Sequence, residues 1–276
     1  MALRIITADE RLATANNKTS IALFGPAGSG KTSQLKTLLP DQTLCLDLEA
    51  GLKSVQDWPG VSIPIRSFTD ALGIACLIGG VDPAASADSF FSDAHHAHVT
   101  GLYPDLVQLI AAKSIIFVDS ITDLTRQAMA WAKTRPEAFS DRTGKPDTRG
   151  AYGLLGREVI GLLKHLQHAP GKTVIFVGVL EKVTDEFNIT TWQPQMEGSK
   201  AGRELPGIVD QVISLQLFSR DGSGMPVLDD KAGERLFVTK AGNPYGLPAK
   251  DRSGRLEVTE PADLGRLLSK INLTRN

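Results

Sequence analysis

Cysteine is scarce: only Cys45 and Cys76 occur in 276 residues. That excludes a disulfide-stapled secreted scaffold and leaves two buried, reduced thiols of the kind a reducing cytoplasm maintains. No apolar run approaches the roughly 18 residues of a membrane span, and the opening Met1-Ala2-Leu3-Arg4-Ile5-Ile6 is too short for a signal-peptide core. The expectation is a soluble cytoplasmic chain with no membrane partner. Neither charge dominates, with 30 Lys plus Arg against 31 Asp plus Glu and a net charge of -1. A globally basic, polyanion-binding surface is therefore excluded, and any such binding must come from local patches. Aromatics are few, at 6%, and neither a repeat nor a heptad pattern is present.

What the chain does have is enough apolar residue, 42%, to bury the core of one large α/β domain spanning residues 1–276. Residues 25 to 32 read Gly25-Pro26-Ala27-Gly28-Ser29-Gly30-Lys31-Thr32, a complete G-x-x-x-x-G-K-[ST] phosphate-binding loop. At average glycine usage of about 7% the bare pattern arises by chance in about one chain in a hundred of this length. Context makes chance less plausible. The apolar run Ser20–Phe24 reads as a strand delivering the loop, and Thr32–Leu39 as the helix leaving it, so backbone N–H groups can wrap a phosphate. Glycines admit the backbone close to the phosphates and Lys31 faces their β/γ oxygens. The Thr32 hydroxyl can ligate Mg²⁺, and Ser33 completes the cradle. ATP and Mg²⁺ are the expected ligands.

A capping box, Thr7-Ala8-Asp9-Glu10, starts a short helix before the first strand. Strands are expected at Thr43–Leu48, Val61–Arg66, Ser114–Val118, Thr173–Val179, Val209–Phe218 and Arg235–Thr239. Helices are expected at 69–78, 102–112, 121–133, 150–168 and 261–271. Residues 79–98, rich in Gly, Ala, Ser and Asp, read as an inserted loop, 134–149 as a mobile basic loop, and 182–203 as a polar loop containing a hairpin. Strands alternating with helices at this spacing argue a parallel sheet with helices on both faces.

In such a sheet ligands lie at the carboxyl ends of the strands. Asp119 ends the strand after Ser114 and is the natural Walker-B carboxylate for Mg²⁺, opposite Thr32; it also suits the cap of the next helix. Glu49 follows the second strand and lies nearer its carboxyl end than Asp47, which shares its face. From strand position alone, a water-orienting base and a solvated charge before a turn are equally good readings of Glu49.

The segments Leu46-Asp47-Leu48-Glu49-Ala50-Gly51-Leu52 and Phe117-Val118-Asp119-Ser120 resemble the catalytic-glutamate strand and Walker-B strand of RecA-type recombinases. Over most of its length, including 198–210 and 238–244, the chain also resembles the phage P-loop nucleotide-binding proteins and Sak-type single-strand-annealing ATPases. The resemblance implies a RecA-like core with Glu49 and Lys31 as catalytic residues. Its further implications are an oligomer with active sites at subunit interfaces, single-stranded DNA and a single-strand DNA-binding protein as partners, and a host cytoplasm if the gene is a phage's.

The resemblance favours Lys200, Arg203 and Lys240 as cations acting on a neighbouring subunit's phosphates, with Lys250 and Arg252 as the remaining supply. One departure stands out: RecA-type strands after Walker B end in a polar amide, whereas here Val179 runs into Leu180-Glu181, so Glu181 suits a loop-anchoring role. His95, His96 and His98 lack the spacing of a structural zinc site and read as solvated. Among aromatics, Trp131 and Tyr245 are weaker base-stacking candidates than Trp192. The functional expectation is a DNA-dependent ATPase assisting recombination or strand annealing. A nucleotide-dependent regulator that binds no DNA and a P-loop kinase are the other classes.

Overall fold

The computed structural model describes residues 5, 7, 8, 10, 18–229 and 231–272. The capping box forms, with Thr7 N–H donating to Glu10 Oε2 at 2.9 Å and Glu10 N–H to Thr7 Oγ1 at 3.2 Å. Most of the helix expected after it falls outside the described residues.

Six parallel strands carry the centre. They are β1 (Ser20–Gly25), β2 (Thr43–Asp47), β3 (Val61–Pro64), β4 (Ile115–Asp119), β5 (Thr173–Thr184) and β7 (Gln211–Arg220), in spatial order β7-β1-β5-β4-β2-β3. Strand β6 (Thr190–Pro194) returns antiparallel on β5. Beyond β7 the sheet continues antiparallel through β9 (Glu234–Val238) and β11 (Thr259–Pro261), with β8 (Pro226–Leu228) and β10 (Lys250–Asp251) also paired to β7.

Successive residues of a strand face opposite sides, and β1 is apolar on both. Ala22 and Phe24 join the larger core cluster, packed under α1 (Phe68–Gly79), α4 (Ile121–Ala132) and α5 (Thr148–Gln167). Ile21 and Leu23 join the other, with Leu35, Leu38 and the apolar stripe Leu264, Leu267, Leu268 of α7 (Leu264–Ile271). The α/β architecture with helices on both faces is therefore as expected from the alternation of elements. Each fully buried Leu, Ile or Phe contributes about 1.5–3 kcal/mol of burial.

Four expectations change. The segment after the phosphate loop is a 3-10 helix, Thr32–Thr37, rather than a helix reaching Leu39. Thr37 Oγ1 donates to the Gln34 carbonyl at 2.7 Å and accepts from the Leu264 N–H at 3.1 Å, so docking of α7 shapes this turn. Residues 79–98 are not wholly loop: Ser92 accepts from the His95 N–H and caps α2 (Asp93–Leu102), with α3 (Pro104–Ala111) following. Residues 134–149 close locally through a Phe139–Pro146 bridge and a Ser140 N–H to Lys145 carbonyl bond of 2.8 Å, around a 3-10 turn at Pro136–Ala138.

Most consequentially, 182–203 is more than a polar loop around the expected hairpin, which does form. It is the outer half of β5, a turn in which Asp185 Oδ1 accepts the Phe187 and Ile189 N–H groups at 2.9 Å each, then β6 and the start of α6 (Ser199–Ile208). Its β-branched and aromatic positions (Val183, Thr184, Thr190, Thr191, Trp192) extend the ladder despite the polar composition.

Candidate nucleotide site

Strand β1, wholly buried, ends at Gly25 and feeds the loop at the carboxyl edge of the sheet. Gly28 and Gly30 have φ of 76° and 97°, a left-handed backbone that side-chain-bearing residues rarely adopt. Lys31 is 8% exposed, and its Nζ donates to the loop's own Gly25 and Pro26 carbonyls at 2.9 and 2.8 Å. Burial holds this ammonium below the ordinary lysine range, with the charges of Asp119 and Glu49 opposing. A triphosphate would offer the same ammonium anionic oxygens in place of two neutral carbonyls.

Thr32 Oγ1 donates to Asp119 Oδ2 at 2.7 Å. Ser120, immediately after Asp119, caps α4 by accepting the Asp123 N–H, so strand end and helix start fix the carboxylate together. Asp119 is 2% exposed, and burial pushes its carboxyl up to about 6. The Thr32 hydrogen bond opposes that rise, Glu49 adds to it, Lys31 opposes it and Asp47 adds to it. Its Oδ1 is buried with no hydrogen-bond partner among the described residues. A buried carboxylate with an orphan oxygen beside a threonine hydroxyl is a hard oxygen donor set that suits Mg²⁺. Those two residues would hold the ion, which would neutralise charge on the β/γ oxygens.

The two carboxylates at the end of β2 separate cleanly. Asp47 is a clamp: Oδ1 accepts the Ala50 N–H at 2.8 Å, and Oδ2 pairs with Arg66 at 3.1 Å, fastening a turn in which Ala50 has φ of 61°. Glu49 is exposed, yet its charge acts on both Lys31 and Asp119. The Leu48 and Glu49 N–H groups both donate to the Asp119 carbonyl, at 2.7 and 3.2 Å, which pins the end of β2 against the end of β4. The fold thus brings together Gly25 through Thr32, Asp119 and Glu49, residues that span almost a hundred positions of sequence.

Glu181 is exposed and accepts from Gln195 Nε2 at 3.3 Å, across the β5–β6 hairpin. It also borders a cavity of about 490 Å³ between loop and hairpin, lined by Pro26, Gly28, Ser29, Trp192 and Gln216. A second cavity, of about 950 Å³, lies at the amino ends of β4 and β5, near Gln42, Ser114 and Thr173. It is at the wrong end of the strands for the phosphate chemistry.

The remaining sequence candidates fall into two groups. Lys250 Nζ is held by the Pro206 and Val209 carbonyls at 2.6 and 2.7 Å, and Arg252 pairs with Asp210 at 2.8 Å, so both serve the fold. Lys200 and Arg203 lie on the exposed side of α6, and Lys240 follows β9. Trp131 packs on Phe68 at 5.3 Å between centroids, and Tyr245 Oη donates to the Pro226 carbonyl at 3.1 Å; both are structural. Trp192 is half-buried with Lys182 Nζ 4.8 Å over its ring. His95, His96 and His98 lie on α2, and no group of three or more His, Cys, Asp or Glu among the described residues is arranged to hold a metal.

One residue near the loop went unnoticed in the sequence. Arg235, on β9, donates from Nε to the Ser29 carbonyl at 2.7 Å. Two hundred and six positions separate the pair, and no local pattern could have signalled the contact.

A family model described as an AAA domain matches residues 17–253. The chain belongs to this AAA-domain family. Membership and the loop geometry together make it a P-loop NTPase domain. No curated protein sequence matches it. Among solved structures, it is similar to a prototypical ATPase from the type III secretion system of pathogenic bacteria, at 17% identity and a TM-score of 0.37, covering 74% of this chain and 54% of that one. It therefore spans about half the length of that ATPase. A second similar structure is the RadB recombinase, at 16% identity and a TM-score of 0.33, covering 83% and 84% of the two chains. Among the described residues no helix of this AAA-family domain is long and apolar enough to cross a membrane.

Proposed function

We propose that this protein is a Mg²⁺-dependent ATPase of RecA-like type that binds single-stranded DNA and assists recombination or strand annealing, like the phage Sak-type ATPases. The observation that carries the hydrolytic part is the Thr32–Asp119 contact of 2.7 Å beneath the loop, with Glu49 acting on the same charges from the exposed rim. Lys31 lies where it can neutralise the phosphates, Thr32 and Asp119 would hold Mg²⁺, which would supply further charge neutralisation, and Glu49 orients or deprotonates the attacking water.

DNA would run along the carboxyl ends of the strands. Arg142, Lys145 and Arg149 support that path: all three are exposed and have no carboxylate partner among the described residues. The β5–β6 hairpin adds the exposed tip residues Phe187 and Ile189. Because the hairpin is one wall of the cavity beside the loop, nucleotide state and DNA grip would be coupled through it. Base stacking on the hairpin's aromatics would contribute roughly 1–3 kcal/mol per base with little sequence preference.

With a net charge of -1, the attraction must be local. Log affinity for single-stranded DNA is expected to fall with log salt at a slope of about 0.7 per phosphate contacted. Replacing Arg142, Lys145 and Arg149 together by Gln should flatten that slope and leave DNA-free ATP binding intact. An unchanged slope would move the path elsewhere. No DNA binding in any nucleotide state would favour a regulator acting through ATP alone.

The active form proposed is a homo-oligomer in which Lys200, Arg203 or Lys240 reaches a neighbour's phosphates. Turnover per subunit is then expected to rise with protein concentration, and constant turnover at all dilutions would exclude this arrangement.

A further inference from the structure

Arg235 is held in place by what surrounds it. Leu236, Phe237 and Val238, which follow it on β9, are all buried. The strand is paired to β7 with Arg235 opposite Leu217, and β7 in turn is paired to β1, the strand that delivers the loop. Its neighbour Glu234 is taken by Arg220, whose Nε donates to Oε1 at 2.6 Å.

The guanidinium lies against the middle of the phosphate loop. Its Nε donates to the Ser29 carbonyl at 2.7 Å, and a Cβ on Gly30 would sit 2.9 Å from that same nitrogen. Glycine at position 30 therefore serves two ends, the left-handed backbone and the close approach of this side chain. Arginine carries five N–H donors in a planar fork. Here one is committed to the loop, and among the described residues the other four make no hydrogen bond and the charge has no carboxylate partner. Arg235 is exposed. An exposed arginine is ordinarily a solvated surface group. This one is tied to the stretch of backbone whose N–H groups cradle the α and β phosphates.

We propose that Arg235 is a nucleotide-binding residue acting in cis, steadying the loop through Ser29 and presenting its remaining donors to the α and β phosphates of a bound nucleoside di- or triphosphate. The inference rests on the loop being a nucleotide site. Contacts to phosphates shared by ADP and ATP strengthen binding of both and do not favour the transition state, so the effect belongs in affinity and not in maximal turnover.

The test is equilibrium binding of Mg·ADP and Mg·ATP to the wild-type chain and to Lys31→Ala, Arg235→Lys and Arg235→Gln, each over a range of salt. Glutamine keeps an N–H donor for the Ser29 carbonyl but no charge, whereas lysine keeps the charge without the fork. The expected result is that Arg235→Gln weakens both nucleotides about 10-fold or more, as loss of a charged hydrogen bond implies. Its affinity should also depend less steeply on salt than that of the wild type, with the steeper dependence restored in Arg235→Lys. Wild-type affinity in Arg235→Gln, or a loss without change in salt dependence, would reduce Arg235 to a loop prop and overturn the proposal. In that event a wild-type chain that binds nucleotide and a Lys31→Ala variant that does not would leave the nucleotide site standing; a wild-type chain that binds neither nucleotide would remove both.

Discussion

A Glu49→Gln variant is expected to bind ATP as the wild-type chain does and to hydrolyse it about 10²-fold or more slowly. The amide keeps the size and polarity of the side chain but cannot accept a proton from water. The turn that carries it is fixed independently, by Asp47 on the Ala50 N–H and Arg66 and by the Asp119 carbonyl on the Leu48 and Glu49 N–H groups. Little rearrangement should therefore accompany the change. Asp47→Asn is the informative partner, because it weakens the Arg66 ion pair and loosens the clamp. Its expected effect is on stability first and on turnover less than Glu49→Gln. Single-turnover ATP hydrolysis together with nucleotide binding separates the two; a dead Asp47→Asn beside a normal Glu49→Gln would mean that the catalytic carboxylate has been misassigned.

Lys31→Ala is expected to lose productive nucleotide binding, with turnover lower by roughly 10²–10³-fold, the scale seen when one preorganised donor to developing charge is removed. The side chain is buried beneath the loop and hydrogen-bonded to two of its carbonyls, so it is already aimed where phosphate oxygens would lie. The same burial means that the variant must be shown to be folded. Its circular dichroism and unfolding midpoint should stay close to wild type, because the loop retains its glycine geometry and the ammonium's burial is itself costly. Unchanged ATP affinity and turnover in a folded Lys31→Ala protein would contradict the assignment of the loop.

Much of the site could be read from the sequence because its parts are written locally. The phosphate loop is eight consecutive residues, and Asp119 follows an apolar run that cannot be anything but a buried strand. Glu49 sits one step past another such run. Each strand's register then brings these ends together, with Asp47 opposite Asp119. Sequence favoured Glu49 over Asp47 only by its position nearer the strand's carboxyl end, and the structure adds their different partners. Arg66 lies nineteen positions from Asp47 and pairs with its carboxylate.

Two of the differences have equally local causes. Composition made 79–98 look like loop, although Ser92 and Asp93 open a helix there. In 182–203 the polar composition signalled a hairpin but not that its first strand is the outer half of β5. The contact of Arg235 with Ser29 was invisible, since it depends on the antiparallel strand β9 joining the sheet through β7.

The most direct measurement is the steady-state rate of ATP hydrolysis with Mg²⁺, in the presence and absence of single-stranded DNA. The expected result is a Mg²⁺-dependent rate that rises when single-stranded DNA is added and is lost in Glu49→Gln. A chain that hydrolyses no ATP under either condition, or one whose rate is indifferent to DNA and to Glu49, would contradict the proposed function.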